Sequence, residues 1–212
     1  MTSTAPILLF GGTFDPPQRA HIELPLLVAR QLDAERVIFI PAAGNPLKAA
    51  PPAPAADRLA MLRLALEGAT KDRPAEISTI ELDRPPPSYT VDTLRGIARG
   101  PASGRPLLLL MGADAALSFP RWREPEAILA LATPVVLLRP PHRCETFAEE
   151  LARVHPPRGV SWWLDRVIDA PSVEASSSEV RRRIRAGEPI DDIVDGRVAA
   201  YIRDQGLYAA QA

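Results

Sequence analysis

The chain has 212 residues, the length of one domain or of one domain with a small appendage, and its 46% hydrophobic and 24% charged residues are ordinary for a globular protein. A formal net charge of −1 argues against a protein that coats nucleic acid, and no apolar run approaches the ~20 residues that span a bilayer. The single cysteine, Cys144, excludes an intramolecular disulfide framework and a thiolate metal cluster. Because no basic region precedes the short N-terminal apolar stretch, we expect no signal peptide and a cytoplasmic protein.

The first predicted element is a strand at Ile7–Phe10, which has no polar residue and is therefore typical of a strand buried on both faces of a parallel sheet. Gly11 and Gly12 follow, where the lack of side chains lets the backbone turn and lets a ligand approach it closely. Asp15-Pro16-Pro17 adds rigid turn chemistry, and apolar residues spaced as on a helix face predict a helix over 19–33. Open α/β sheets bind anions in this crevice between a strand and a helix N-terminus, so the segment is a candidate phosphate site.

Further apolar runs alternate with helical patterns along the chain. Strands are predicted at Val37–Ile40, Ile77–Leu82, Leu107–Met111 and Val135–Leu138, with a last strand at either Val160–Leu164 or Val167–Ile168. Helices are predicted between them at Asp57–Gly68, Thr90–Ala98, Glu124–Ala132 and Thr146–Val154. This alternation predicts an α/β fold with a Rossmann-like doubly wound parallel sheet. The chain lacks a GxGxxG fingerprint, so we expect no tightly held NAD cofactor.

The tail changes character, because two helical patterns, Ser177–Ala186 and Arg197–Asp204, follow each other with no strand between them. We predict a small C-terminal helical subdomain over residues 171–212, after a Rossmann-like domain over 1–170. Ser177 or Ser178 can cap the first of these helices, with Arg181 about one turn further on. On its own this segment is either an anion site or a capped helix with a solvated basic face.

The segment GGTFDPPQRAH, Gly11–His21, resembles the signature of the nucleotidyltransferase superfamily, which reads GGTFDP, one further residue and HxGH. Gln18 stands at the position of the first His, Ala20 at that of the Gly, and His21 at that of the second His. ASSSEVR, residues 175–181, resembles the superfamily motif ISSTxIR, which receives the β and γ phosphates of ATP.

Several more motifs resemble those of bacterial nicotinate mononucleotide adenylyltransferases. PPSYTVDTL, residues 86–94, is similar to their SYTxDTL, and GADAALSFPRW, residues 112–122, to their GADxLxxxxxW. Asn45-Pro46-Leu47-Lys48, followed by Arg58, Met61 and Leu62, is similar to their PHK loop and RxxML helix, and VAAYIRDQGLY, residues 198–208, to VxxYIxxxxLY. The motifs occur in the family's order from residue 7 to residue 208.

The resemblance implies adenylyl transfer from ATP to nicotinate mononucleotide, with Mg²⁺ bound to ATP and no metal site on the protein. It also implies no nucleic-acid or membrane partner, and it is compatible with a homo-oligomer. The implied catalytic residues are His21, Gln18, Lys48 and Arg181. The implied ATP-binding residues are Gly11, Gly12, Thr13, Phe14, His21, Gly112, Asp114, Ser177, Ser178 and Arg181. The implied nicotinate mononucleotide-binding residues are Lys48, Ser88, Tyr89, Thr90, Asp114 and Trp122. His142 and His155 match no motif.

Three other readings stay open at this point. The acceptor can instead be nicotinamide mononucleotide or, less in keeping with the motifs, pantetheine phosphate. Gln18 lacks the positive charge of an imidazolium, so the chain can be a nucleotide-binding homologue with weakened or lost catalysis; the missing charge corresponds to about 10- to 1000-fold in rate. RNA binding through the arginines at 181–185 is the third reading, and the net acidity opposes it.

Overall fold

The computed structural model describes residues 4–43, 52–67, 69, 74–100, 102–138, 144–154, 159–169, 171 and 176–209. The strands are β1 Ile7–Gly12, β2 Arg36–Pro41, β3 Ala75–Ile77, β4 Leu107–Gly112, β5 Thr133–Leu138 and β6 Val167–Asp169. The helices are α1 Arg19–Gln31, α2 Ala55–Glu67, α3 Thr90–Arg99, α4 Ala113–Ser118, α5 Pro125–Leu131, α6 Cys144–Val154, α7 Gly159–Leu164, α8 Ser177–Ala186 and α9 Gly196–Asp204, and a 3₁₀ turn spans Phe119–Arg121. None of the helices within these ranges is long and apolar enough to cross a membrane.

The six strands of the described residues form one parallel sheet in the order β3-β2-β1-β4-β5-β6. The central strand β1 pairs with β2 on one side, where Ile7 lies opposite Arg36, and with β4 on the other, where it lies opposite Leu107. The order reverses direction between β1 and β4, as in doubly wound sheets. The predicted α/β, Rossmann-like fold is confirmed.

The sheet separates two hydrophobic cores, because alternate residues of each strand point to opposite faces. Leu8 lies in the core that includes residues of α1, α2, α8 and α9, whereas Ile7 and Leu9 lie in the core that includes residues of α3 to α7. All three side chains are fully buried. β1 is therefore buried on both faces, as its unbroken apolar run predicts.

The C-terminal helices share the first of these cores with the sheet. Val180 of α8, Val194 of the connecting segment and Val198 and Ile202 of α9 are all buried in it. These helices therefore pack on the same side of the sheet as α1 and α2. The division of the chain at residue 170 stays a prediction.

Two predicted elements differ from the structure. The predicted strand Ile77–Leu82 is wrong beyond its first residue, because the chain turns there: the Thr79 hydroxyl donates to the Asp83 carboxylate at 2.8 Å, and the Asp83 amide donates to the Thr79 carbonyl at 3.0 Å. Of the two alternatives for the last strand, Val167–Ile168 is correct, since residues 160–164 belong to α7. The short helix α4, directly after β4, was not predicted.

Candidate active site

The carboxyl ends of β1 and β4 lie side by side in the middle of the sheet, where the strand order changes direction. Open α/β sheets bind ligands in the crevice outside the strand ends at this point. Gly11 and Gly12 end β1, and Gly112 ends β4. The structure thus brings three predicted ATP-binding glycines to one edge of the sheet.

The two glycines of β1 have different surroundings. A Cβ atom on the exposed Gly11 would meet only the Ile40 carbonyl oxygen, at 3.9 Å. A Cβ atom on Gly12 would lie 3.1 Å from the ring of Phe14. Gly11 therefore leaves an open backbone surface at the strand end, whereas Gly12 makes room for a packed aromatic ring.

Phe14 holds His21 in place. Phe14 is 2% exposed, its φ of 51° lies in the left-handed region, and its ring meets the His21 ring edge-on with centroids 5.6 Å apart. The backbone N–H of Gln18 donates to Nδ1 of His21 at 3.2 Å. A neutral imidazole that accepts at Nδ1 carries its proton on Nε2, so Nε2 is the ring's donor.

Gln18 is the N-cap residue of α1 and connects that helix to α8. Its Nε2 donates to the hydroxyl of Ser177 at 3.2 Å, and this hydroxyl donates in turn to the Pro16 carbonyl at 3.1 Å. Gln18 is 1% exposed, and its Oε1 is buried with no hydrogen-bond partner among the residues described. Because the hydroxyl proton of Ser177 is directed at Pro16, Gln18 must be the donor in their contact.

Arg181 of α8 lies against the glycine-rich loop. Its Nη1 donates to the Asp15 carbonyl at 2.6 Å and lies 3.6 Å from Oδ2 of the same residue, while its Nη2 donates to the Ser178 hydroxyl at 3.1 Å. Two of the five N–H donors of this guanidinium are used in these hydrogen bonds. Residues from the two ends of the described chain therefore converge on the crevice at β1.

The cap of α8 differs from the prediction. Ser176 is the N-cap residue, and its hydroxyl accepts from the Glu179 amide at 3.1 Å. Ser177 is the first helical residue, and its hydroxyl is bonded to Gln18 and Pro16 rather than to its own helix. The predicted cap at Ser177 or Ser178 is therefore wrong by one or two residues, and the Ser177 hydroxyl contacts the glycine-rich loop instead.

A second group of predicted residues lies at the start of α3. Tyr89 is its N-cap residue and Thr90 its first residue, and both are half-buried. The Ser88 hydroxyl donates to the Glu81 carbonyl at 3.4 Å. The guanidinium of Arg123 lies 4.7 Å from the centroid of the Tyr89 ring, a cation–π distance. This contact brings the segment after α4 to the N-terminus of α3.

Trp122 directly precedes Arg123 in that segment. Its ring packs against Phe119 with centroids 5.3 Å apart, and its Nε1 donates to the Ser118 hydroxyl at 3.3 Å. The indole is half-buried. Its orientation is therefore fixed by contacts within residues 118–122 while part of its surface stays accessible.

Asp114 is exposed in the first turn of α4, directly after Gly112, where a carboxylate complements the helix dipole. Lys48 lies outside the described residues, as do His142 and His155. In the described ranges, no three His, Cys, Asp or Glu side chains are grouped so as to hold a metal ion.

Three residues that we did not predict as site residues support the glycine-rich loop. Asp15 is 8% exposed, and its Oδ1 accepts from the Ala53 amide at 3.1 Å and from the Tyr208 hydroxyl at 2.8 Å. Burial is the first cause that raises the pKa of Tyr208, and the hydrogen bond to Asp15 is the second. Arg58 is 1% exposed and contacts the same loop. All three stand within the recognised motifs, which was the signal available in the sequence.

The chain is similar to known proteins in its sequence. The family model described as cytidylyltransferase-like matches residues 9–183. A probable nicotinate-nucleotide adenylyltransferase of Roseiflexus sp. RS-1 is 40% identical over 209 residues, covering 97% of this chain and 99% of that protein. A protein of the same description from Thermomicrobium roseum is 38% identical, covering 94% of this chain and 90% of that protein.

Among solved structures, the chain is similar to Plasmodium falciparum nicotinic acid mononucleotide adenylyltransferase complexed with NaAD. The TM-score is 0.73 at 16% sequence identity, with 96% of this chain and 97% of that chain covered. At this identity the likeness concerns the fold. Together, the family match over most of the chain and the full-length relatives show that this protein belongs to the cytidylyltransferase-like family.

Proposed function

We propose that this protein is a nicotinate-nucleotide adenylyltransferase, which transfers AMP from ATP to nicotinate mononucleotide and gives deamido-NAD and pyrophosphate. The observation that carries the proposal is the set of relatives with this description, 32–40% identical over nearly the whole chain. The convergence of the glycine-rich loop, α1 and α8 at the sheet edge supports it.

In the proposed reaction, a 5′-phosphate oxygen of nicotinate mononucleotide attacks the α-phosphorus of ATP in line. The bond between this phosphorus and the bridging oxygen to the β-phosphorus breaks, and pyrophosphate leaves with the electron pair. No side chain is covalently modified. The protein's task is to position two anions and stabilise the charge that spreads over the phosphate oxygens.

On the ATP side, we assign the α-phosphate to the crevice at Gly11 and Gly12 and, by its motif, His21 to the same phosphate. Close approach suits Gly11, since it is exposed and has almost no neighbour on its missing Cβ. Arg181 and the hydroxyls of α8 are assigned to the departing pyrophosphate, because a helix N-terminus and a guanidinium both favour an anion. Thr13, Phe14, Gly112 and Asp114 complete the proposed ATP site.

On the acceptor side, we assign the nicotinate ring to the region between the N-terminus of α3 and the segment around Trp122. The half-buried indole offers an aromatic face for a pyridine ring, and Ser88, Tyr89 and Thr90 offer polar groups at a helix start that favours a carboxylate. Lys48 is assigned to the phosphates by its motif alone.

Mg²⁺ belongs to the proposal as an ion carried by the ATP phosphates. Mg²⁺ in nucleotide-using enzymes is bound mainly by substrate phosphates and water, with one or two protein ligands. When bound, the ion neutralises developing charge on the phosphate oxygens. A cytoplasmic location and a homo-oligomeric state stay predictions.

Gln18 supports a second candidate function, a nucleotide-binding homologue with weakened or lost catalysis. It stands where the superfamily motif has a histidine, and in the structure one of its amide protons is already used by Ser177. A neutral amide provides a hydrogen bond but no charge to the phosphate under attack. We expect turnover in the wild type, slower than an imidazolium at this position would allow.

The test is a pyrophosphate-release assay with purified protein, ATP, Mg²⁺ and either nicotinate or nicotinamide mononucleotide, with dinucleotide formation followed by chromatography. The proposed function predicts turnover with a preference for the nicotinate form. Absence of turnover at high enzyme concentration would exclude this function. A preference for the nicotinamide form would mean that nicotinamide mononucleotide is the acceptor.

Gln18→His, with Gln18→Ala as the control that removes the amide, tests the second candidate. Measurable ATP binding without turnover, and recovery of activity in Gln18→His, would support the homologue with lost catalysis. If Gln18→His leaves turnover unchanged or lowers it, that second candidate fails.

A further inference from the structure

Arg58 is a buried cation at the carboxyl edge of the sheet whose hydrogen bonds reach three different chain segments. It is the fourth residue of α2 and is 1% exposed. Its Nη1 donates to the carbonyls of Thr13 and Ala42, both at 2.8 Å, and its Nε donates to the Ala53 carbonyl at 3.0 Å. The acceptors belong to the glycine-rich loop, the segment after β2 and the segment before α2.

The position of Arg58 follows from how the ladder between β1 and β2 ends. The Ala42 amide donates to the Gly12 carbonyl at 2.9 Å, which continues the ladder one step beyond the paired strands. The backbone then turns at Phe14, whose φ is 51°. The next carbonyls on the two sides, those of Thr13 and Ala42, both point to Nη1 of Arg58. The guanidinium thus replaces the ladder where the loop leaves the sheet.

Asp15 and Arg58 both bind the backbone of Ala53, one at its amide and the other at its carbonyl. The Ala53 amide donates to Oδ1 of Asp15 at 3.1 Å, while its carbonyl accepts from Arg58. Ala42 and Ala53 lie on either side of residues 44–51, which the structure does not describe. Arg58 therefore fixes both described ends of that segment relative to the glycine-rich loop.

An uncharged residue would be less costly to bury at this position. Burial is the first cause that lowers the pKa of Arg58, and the charge of Asp15 acts in the opposite direction. A buried charge is tolerated only when it is hydrogen-bonded or paired. The planar guanidinium offers donors in fixed directions that a lysine ammonium lacks, so three carbonyls can be held in one arrangement.

We propose that Arg58 is a positioning residue for the adenylyl-transfer reaction. It acts through the glycine-rich loop, the segment after β2 and the segment before α2. This proposal takes its reaction from the proposed function, and it takes its geometry from the hydrogen bonds of Arg58. Arg58 sets where Gly11 and Gly12 present their backbone to ATP. Displacement of such groups by about 1 Å can cost about 100-fold in rate.

The test compares Arg58→Lys and Arg58→Gln with Arg63→Lys and Arg63→Gln. Arg63 lies on the same helix and is exposed, so it is a matched control. With ATP and nicotinate mononucleotide as substrates, we expect kcat/KM to fall about 10- to 100-fold in both Arg58 variants. The Arg63 variants should stay within about twofold of the wild type, which is the usual size of a surface effect.

A pH profile separates positioning from a purely structural role. A lysine buried at position 58 should lose its proton at a lower pH than a free lysine, because burial disfavours the charged form. Arg58→Lys should therefore show a loss of kcat/KM between about pH 7 and 10 that is absent from the wild type and Arg63→Lys. Activity is measured at a temperature at which circular dichroism shows each variant to be folded.

The proposal is overturned if the folded Arg58 variants have kcat/KM within twofold of the Arg63 variants. If Arg58→Lys does not fold at any temperature tested, Arg58→Gln provides the same comparison without a buried charge. If the wild type shows no turnover, the proposed function fails, and ATP dissociation constants from calorimetry then test Arg58 with the same expected ratio between variants.

Discussion

Tyr208 and Tyr201 form a natural pair for measuring what burial adds to a hydrogen bond. The Tyr208 hydroxyl donates to Asp15 and the Tyr201 hydroxyl to Asp57, both at 2.8 Å. Asp15 is 8% exposed, whereas Asp57 is half-buried in the first turn of α2. Burial is the first cause that raises the pKa of Tyr208, while the hydrogen bond to Asp57 is the first cause for Tyr201. Replacing each tyrosine by phenylalanine removes one hydroxyl from two bonds of equal length.

We expect Tyr208→Phe to lower the free energy of unfolding by about 1.5–3 kcal/mol, the range for a hydrogen bond to a charged group in a buried site. Tyr201→Phe should cost about 0.5–1 kcal/mol, because water can replace the lost donor. For a chain of this length, 1 kcal/mol corresponds to about 2–4 °C in Tm, so the expected decreases are about 3–12 °C and about 1–4 °C.

The assay is urea and thermal unfolding followed by circular dichroism near pH 7, far below the pKa of either tyrosine. Equal m-values for both variants and the wild type are required, so that the difference in midpoint reports stability. A cost for Tyr201→Phe that equals or exceeds that of Tyr208→Phe would refute the reasoning that burial of the carboxylate sets the difference.

Three further outcomes are expected. Gly11→Ala should raise the KM for ATP with little change in stability, whereas Gly12→Ala should destabilise the protein by about 1–3 kcal/mol because the new methyl group meets the Phe14 ring. Steady-state kinetics and urea unfolding of both variants check these expectations. A larger loss of stability in Gly11→Ala than in Gly12→Ala would contradict them. Ser176→Ala should cost about 1 kcal/mol through the lost helix cap, with an unchanged KM for ATP; a changed KM would mean that the cap also contacts substrate. Hydrogen bonds from two arginines of α8 lower the pKa of Glu179 to about 2, so the stabilisation is present above the ordinary pKa of 4.5 and is lost as the pH falls through 2. The difference in urea midpoint between the wild type and Glu179→Gln should therefore shrink between about pH 6 and pH 2, and a constant difference would show that the carboxylate's charge contributes nothing.

Local patterns were sufficient for the parts of the fold that neighbouring residues determine. The unbroken apolar run at Ile7–Phe10 predicted a strand buried on both faces, and the alternation of strands and helices predicted the doubly wound sheet. The apolar residues of 77–82 were misread because periodicity does not register the polar pair, Thr79 and Asp83, that closes a turn there. Residues 160–164 illustrate the known ambiguity of short apolar runs between strand and helix.

The candidate site was predictable where a motif names its residues and unpredictable where partners are distant in sequence. Three consecutive serines are equally good caps by composition, so the choice of Ser176 depends on the contact of Ser177 with Gln18, 159 residues away. The bond between Tyr208 and Asp15 spans 193 residues. Arg58 stands within a recognised motif, but its bonds to the Thr13 and Ala42 carbonyls depend on the turn at Phe14, which the motif does not describe.

The chain of hydrogen bonds from Gln18 through Ser177 to Pro16 has a consequence for folding. Because it joins α1 to α8, residues 11–21 alone make only one side of the proposed ATP site, and the other side exists only when α8 is docked. A ligand that bridges both sides binds the docked state selectively, and at about 100 times its dissociation constant it adds about 2.7 kcal/mol to that state. Bound ATP would then stabilise the docking of α8 against the rest of the protein. Protection of α8 from proteolysis or amide exchange would report the fraction of the protein that has nucleotide bound.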